Sequence, residues 1–462
     1  MNKNILYRLY AAAFIGICLV PSVFMPASKG GSDKEKRELA EAPKIKREDG
    51  RLNAEFFDDF DNWFSEHFAF RSKLVNLDGR LKSAVFGTSN NENVIVGRDG
   101  WLYYGETADD FMNINTLSGR AIENIRHNLE MMNDYCEKRN AKFIFTSAPN
   151  KNSIYPEYMP LNYIESGRKG NYETLSESLA NSGFYLDMKA ALKSAESSIP
   201  LYHKTDTHWN NLGAYVGHVK LMEALGGECC SSGTSWYTKN DRLGDLAAMI
   251  YPEEKAKDTN VYNDYEFSYS YIGRFRGLDD LTIKTSAAEK DGKLLMYRDS
   301  YGEAILPYMA ECFGEAEFSR VVPYRMDGID GGAVVLEIVE RNIGDLQKYA
   351  PLMKAPEAEN VPEANETYIG DIVLKTETAG NYSHIFGELP EEFFAEGSSK
   401  IYVTAGGVTY EAFNCFEDKL LGRDGEASDR GFSLYIPQIP SLNNGDITIV
   451  TLKSDGTSVK FN

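Results

Sequence analysis

The chain has 462 residues, and 49 Lys and Arg against 69 Asp and Glu give a formal charge of −20. That balance excludes nucleic acid as the main partner, because phosphate binding requires clustered cations that displace counterions. Hydrophobic residues make up 42% of the chain, which excludes a disordered polymer, and six cysteines without a Cys-x-x-Cys exclude a disulfide scaffold.

The length leaves room for two or three folded units. Residues 1–27 read as a signal peptide or membrane anchor: Lys3 and Arg8 precede an apolar run from Leu9 to Met25 that contains Pro21. Small residues at Ala27 and Ser28 permit cleavage, and Cys18 lacks the small residues expected before a lipidated cysteine. A buried N-terminal core helix is the weaker alternative. The protein is therefore expected outside the cytoplasm, secreted or anchored. Residues 28–53 form a charged spacer.

The next unit spans 54–353. Phe56, Phe57, Phe60, Trp63, Phe64, Leu74, Leu77 and Leu81 recur at helical intervals. NVIVGRDGWLYYGE places a Gly-Arg-Asp-Gly turn between two short β-rich runs, a hairpin signal. A long amphipathic helix is expected over 118–139, followed by a buried strand over 142–149. Later strands are expected over 293–297, 320–324 and 333–339, with a helix over 303–313. Short apolar strands with helical crossovers predict an α/β fold with a parallel sheet covered on both faces. Residues 354–367, rich in Pro, Glu and Ala, read as a linker. Residues 368–462 alternate as strands separated by GN, GG and NNGD turns, predicting a C-terminal antiparallel β-sandwich.

His67, His127, His218 and His384 are read as surface or packing residues. His203 and His208 differ, because they flank Asp206 in the polar stretch YHKTDTHWNNLGAY. Three ligand-capable side chains raise the question of a metal, but a catalytic zinc wants a third strong ligand and often a His-x-x-x-His frame. Neither is visible, so no metal and no cofactor is expected. In KLLMYRDSYGEAILPYM, Ser300 follows a buried strand and precedes a helix. That position suits a nucleophile whose oxyanion is held by backbone amides, and it equally suits a helix N-cap. Asp206 and His208 supply what a nucleophilic serine needs, a base and the carboxylate that orients it.

DTHWNNLGAY together with YRDSYG resembles the motif pair of the DHHW family and the alginate O-acetyltransferase-like proteins, whose catalytic domain is similar to the SGNH (GDSL) hydrolases. VIVGRDGWLYYGE, SAPNKNSIYPEYMP and VVLEIVERNI extend the resemblance over residues 56–343. It implies a circularly permuted SGNH-like domain, since Asp206 and His208 precede Ser300. It also implies a Ser300 acyl-enzyme, formed with His208 as base and Asp206 as its orienting group, that moves an acetyl group to a cell-surface or exopolysaccharide hydroxyl. A membrane-bound O-acyltransferase partner would supply the acetyl group.

The Gly-x-Asn-Asp of the hydrolases is absent and EIVER stands in its place, so the Ser300 amide and a donor after the strand ending at Tyr324 are expected to hold the oxyanion. Asn150, Lys151, Arg298, Tyr301, Tyr324 and Arg341 are the substrate or oxyanion candidates. Glu340 and Arg341 either pair structurally or touch substrate. Tyr103, Tyr104, Tyr155 and Tyr158 offer sugar-stacking faces, and the sandwich either binds carbohydrate or stabilises the assembly. The acidic surface favours neutral glycans over polyanions such as alginate. An acetylesterase with the same triad and a non-catalytic envelope scaffold are the alternative functions.

Overall fold

In the longest apolar run, Phe143 and Phe145 alternate with Ile144, and in its partner Val334 and Leu336 alternate with Val335; all are buried. A strand with no polar face has to be covered on both sides. The computed structural model describes residues 3–25, 40–47, 50–228, 235–255, 257–370, 372–391, 400–417, 428–452 and 456–461, and it covers these strands in that way.

The chain enters through helices Lys3–Phe24, Phe56–His67 and Arg71–Phe86, then forms the hairpin β1 (Val94–Val96) and β2 (Leu102–Tyr104), whose turn is the Gly-Arg-Asp-Gly segment. The body contributes β3 (Ala141–Ala148), β4 (Tyr185–Leu186), β5 (Trp236–Arg242), β6 (Asp258–Asn263), β7 (Ser270–Ile272), β8 (Thr282–Ser286), β9 (Lys293–Tyr297), β10 (Glu315–Ser319) and β11 (Gly332–Val339). One sheet runs β4-β3-β11-β9-β10-β8-β7. Its first five strands are parallel, while β8 and β7 are added antiparallel at one edge. Strands β5 and β6 form a separate antiparallel pair.

Helix Gly119–Glu137 covers the face that carries Phe143, Phe145, Val334 and Leu336. Helices Asn211–Leu225 and Gly302–Cys312 cover the face of Ile144, Met296 and Val335. The α/β expectation holds, with one strand shifted. Arg320–Tyr324 is a loop, and the strand lies just before it at Glu315–Ser319. Pro323 has no N–H for a ladder, and Val321 and Val322 face solvent there.

The C-terminal unit packs a five-stranded sheet against a three-stranded one. It comprises β12 (Glu366–Tyr368), β13 (Val373–Ala379), β14 (Tyr382–Glu388), β15 (Lys400–Ala405), β16 (Val408–Glu411), β17 (Gly431–Pro437), β18 (Ile447–Leu452) and β19 (Ser458–Phe461), ordered β12-β19-β18-β15-β16 and β13-β14-β17. Its core includes Ile385, Val403, Phe432, Leu434 and Phe461. The sandwich is antiparallel except at one edge, where β12 pairs parallel to β19. The Pro-, Glu- and Ala-rich segment lies along this unit: the Ala355 amide donates to Tyr435 O at 2.8 Å and the Ala358 amide to Thr409 O at 2.9 Å.

Among the described residues no helix is long and apolar enough to cross a membrane. The cleavage site expected near Ala27 and Ser28, the basic residues Lys29, Lys34, Lys36 and Arg37, and Cys229 and Cys230 lie outside the described residues. Cys312 is disulfide-bonded, while Cys136 and Cys415 are free and buried.

The sandwich is fastened to helix Gly119–Glu137. Asn128 donates to Asn414 O at 3.0 Å and accepts the Asn414 amide at 2.9 Å, and Arg120 pairs with Asp429. Phe413, fully buried, packs in the same core as Phe143 and Leu336. All four tryptophans (63, 101, 209 and 236) precede the sandwich, so their fluorescence reports on the body. Phe413→Ala is expected to remove about 3–5 kcal/mol and to lower the urea midpoint read by tryptophan fluorescence. An unshifted tryptophan transition would show instead that the two units unfold independently.

Candidate active site

The carboxyl ends of neighbouring strands β3, β9 and β11 open onto one edge of the sheet, the position where parallel sheets bind ligands. Ser300 leaves β9 on a tight turn ahead of helix Gly302–Cys312. Asp299 organises that turn: its carboxylate accepts the Tyr301 amide at 2.8 Å and the Val339 amide at 2.7 Å. Gly302 is required here, because a Cβ would lie 2.5 Å from the Arg298 Cβ.

The loop 203–208 brings the other two residues. His208 Nε2 lies 2.9 Å from Ser300 Oγ, and His208 Nδ1 lies 2.9 Å from Asp206 Oδ1. Residues 92 positions apart thus form an unbroken hydroxyl–imidazole–carboxylate chain. Asp206 is buried. Burial opposes its charge, but the His208 hydrogen bond and the Arg242 guanidinium outweigh that effect and hold the carboxyl well below its usual range. For His208, burial disfavours the imidazolium, yet the hydrogen bond and charge of Asp206 and the charge of Asp245 prevail, so its pKa is raised; Arg341 works against this. The Ser300 amide has no protein acceptor among the described residues.

Two contributors were not visible in the sequence. Arg242 donates from Nε at 3.1 Å and from Nη2 at 2.6 Å to Asp206 Oδ2, the oxygen that His208 leaves free. Asp245 Oδ2 stands 3.8 Å from His208 Nδ1, and its Oδ1 accepts the Thr207 amide at 2.8 Å. Both lie in RLGD, where Arg242 ends β5 and Asp245 opens the short helix Asp245–Ile250, a junction with no sequence periodicity to mark it. The usable signal was Gly244, where a Cβ would come within 2.0 Å of Thr205 O.

The other expected site residues distribute differently. Lys151 is buried and its ammonium donates to the carbonyls of His203, Lys204 and Asp206 at 3.1, 3.0 and 2.6 Å, so it braces the histidine loop rather than facing a substrate. Burial pulls its pKa down to about 8. Asn150 is fully buried; its amide donates to Glu340 Oε2 at 2.7 Å and its side chain to Asp110 at 3.2 Å. Arg298 is buried and donates to Leu278 O and Asp299 O. Tyr301 is buried under the site, its hydroxyl donating to Thr207 O at 2.9 Å and its ring 4.9 Å from that of His208.

Tyr324 packs on Tyr297, and the first two amides after β10 donate to Leu281 O and Ser319 Oγ, so they are not free for an oxyanion. Glu340 pairs with Lys189 at 2.8 Å, not with Arg341. Arg341 stays at the cleft, beside Tyr104 and Tyr301. Of the four tyrosines, Tyr103 and Tyr155 are spent on internal hydrogen bonds and Tyr158 stacks on Trp101, leaving Tyr104 at the cleft. His127, His218 and His384 pack against Glu411, Met309 and Ser433, respectively.

Asp206, His208 and Asp245 offer ligand atoms within 4.8 Å of one another, but Arg242 and Ser300 already occupy the outward atoms of the first two. His203 stands apart: its Nδ1 contacts Thr259 O, and burial with the Arg242 charge lowers its pKa to about 4.

Residues 94–269 match the family described as the SGNH hydrolase-like domain of the acetyltransferase AlgX. The resemblance to the alginate O-acetyltransferase-like proteins holds. The probable alginate O-acetylase AlgJ of Pseudomonas syringae pv. tomato is 25% identical over 221 residues, 47% of this chain and 52% of that protein. The chain spans about half the length of the curated relatives it matches. Among solved structures, a DHHW family protein from Eubacterium siraeum is 18% identical, with 54% of this chain and 94% of that chain covered and a TM-score of 0.39. The O-acetyltransferase domain of Pseudomonas putida AlgJ is 17% identical, with 55% and 93% covered and a TM-score of 0.36. The strand order above, not these superpositions, defines the fold.

A base must be neutral to accept a proton, so a raised His208 pKa places the acid limb of any His208-dependent activity above the ordinary histidine range. Asp245→Asn removes a charge that favours the imidazolium, and the acid limb of kcat against pH is expected to move to lower pH; a limb that stays put would remove Asp245 from the site. Charge-assisted hydrogen bonds contribute about 1.5–3 kcal/mol, so Arg242→Met is expected to lower plateau kcat about ten- to hundredfold.

Proposed function

We propose that the protein is a serine-dependent O-acetyltransferase that acts outside the cytoplasm on glycan hydroxyls. The observation that supports this best is the continuous chain from Ser300 Oγ through the His208 imidazole to the Asp206 carboxylate, with both links at 2.9 Å. His208 takes the Ser300 proton as Oγ attacks the acetyl carbonyl. The tetrahedral oxyanion forms near the unengaged Ser300 amide, and its collapse expels the donor's leaving group, which takes the proton from His208. A sugar hydroxyl, deprotonated by the same imidazole, then attacks the acetyl-serine; the bond from the acyl carbon to Ser300 Oγ breaks, His208 returns the proton to Oγ, and the sugar leaves as the acetate ester.

If water attacks instead, the same residues make an acetylesterase. The match of residues 94–269 to an acetyltransferase domain favours transfer. The relatives' names specify alginate, whereas the −20 charge weighs against a strongly anionic polymer, so the glycan is assigned here only as a class. The N-terminal apolar helix fits an export leader, and a membrane-bound O-acyltransferase fits as the source of the acetyl group. The bonds between sandwich and helix Gly119–Glu137 favour a stabilising role for the C-terminal unit over sugar binding.

Ser300→Ala is expected to lower p-nitrophenyl acetate turnover by about 10⁴-fold or more while leaving the circular dichroism spectrum unchanged. Full turnover in that variant would remove Ser300 from the mechanism. A wild-type protein that turns over no ester and acetylates no glycan would favour the scaffold alternative.

A further inference from the structure

Arg341 is a cation at the cleft that forms no ion pair among the described residues, although the buried carboxylates of Asp110 and Glu337 feel its charge. The neighbouring carboxylates hydrogen-bond elsewhere: Glu340 with Lys189 and the Asn150 amide, Asp299 with two backbone amides, Asp245 with the Thr207 and Leu246 amides, and Asp110 with the Asn115 and Asn150 side chains. Its Nη1 is shielded and finds no hydrogen-bond partner, although the side chain as a whole remains partly exposed. A shielded donor left unpaired costs about 1–3 kcal/mol, a cost that an incoming acceptor atom would relieve.

The guanidinium lies 5.3 Å from the Tyr104 ring and 5.8 Å from the Tyr301 ring, and the Tyr301 ring lies 4.9 Å from that of His208. Three successive contacts therefore lead from an aromatic face to the imidazole that stands on Ser300. An aromatic face beside a donor is the pairing that an amphipathic ring requires: C–H groups stack on the ring, and an edge oxygen meets the N–H.

We propose that Tyr104 and Arg341 form the subsite for the acceptor sugar, with Tyr104 under a pyranose face and the partly exposed Arg341 guanidinium donating to a ring or hydroxyl oxygen. This rests on the acyl-transfer reading, and it assigns the half of the reaction that separates a transferase from an esterase. By holding a hydroxyl near the acetyl-serine, the subsite raises the local concentration of acceptor against water.

The test gives the full chain p-nitrophenyl acetate as donor and cellohexaose or hexamannuronate as acceptor, and reads acetylated hexasaccharide against free acetate. Tyr104→Ala and Arg341→Gln are each expected to lower that ratio at least tenfold. Because the ratio is taken within one sample, a general loss of acylation cancels. The comparison is made on the high-pH plateau, since removing Arg341 relieves its opposition to the imidazolium and moves the acid limb upward. A ratio unchanged in both variants, whatever the absolute rate, overturns the subsite.

If the wild type releases acetate but acetylates neither hexasaccharide, the transferase reading fails on its own. Calorimetric titration with the same hexasaccharides then decides the subsite. At least tenfold weaker binding in Tyr104→Ala supports it, while equal binding, or none to the wild type, overturns it.

Discussion

A carboxylate withdrawn from water has to be compensated atom by atom, and everything at this site depends on how Asp206 achieves that. One oxygen receives the His208 imidazole and the His208 amide; the other receives two N–H groups of Arg242 and the Asp245 amide at 3.3 Å. The loop that carries Asp206 is gripped from beneath as well, where the Lys151 ammonium gathers three of its carbonyls. A cation on each side thus fixes a short irregular segment whose backbone has no sheet or helix to satisfy it. That double grip lets a largely buried loop hold an imidazole 2.9 Å from a hydroxyl supplied by a different strand.

The sheet sets the other half of the geometry. Val335 on β11 is paired with Met296 on β9 and with Ile144 on β3, so the three strands run in step; β11 and β3 end together at Val339 and Ala148, while β9 ends opposite Leu336 and releases its chain to the turn at Ser300. Lys151, Ser300 and Arg341 then emerge side by side, one from each strand end. The brace, the candidate nucleophile and the cleft cation thus trace back to three strands held in one register. A slip of one residue in any strand would send its side chain to the opposite face.

The legible parts of the sequence were those governed by burial. The runs at β3, β9 and β11 are apolar on both faces over most of their length because both faces are covered, and they were read within one residue of their ends. The edge strands β7 and β8 escaped notice, since TIKTS and SYI alternate or face solvent and resemble ordinary surface. The strand expected at Arg320–Tyr324 was drawn toward the two valines, although Phe318 and Ala316 just before them are the buried residues. The Ser300, His208 and Asp206 constellation was legible from residue types and local context. Which way a side chain points after a strand end was not. Asn150 and Lys151 stand where ligands bind, yet both turn inward. Arg242 and Asp245 act on Asp206 from 36 and 39 positions away, through a close approach that only Gly244 hints at.

The exposure of the site bears on the choice between water and sugar. His208 retains a quarter of its side-chain surface, and Ser300 is also partly open. An acetyl group carried on Ser300 would therefore meet water freely, so sequestration does not explain a preference for transfer. The remaining lever is residence time, in which a hydroxyl held beside the ester competes with water that visits at its bulk concentration. Effective molarities for well-oriented groups reach about 10⁵–10⁸ M, far above the roughly 55 M of water, so on the proposed reading even an imperfectly held sugar hydroxyl would win that competition. The −20 charge acts on the same balance from outside, because it repels a polyanion before any local contact forms. On the proposed reading, an acidic envelope around a cleft that holds the Arg341 guanidinium would select for a glycan that is weakly charged overall and still brings an oxygen to Arg341.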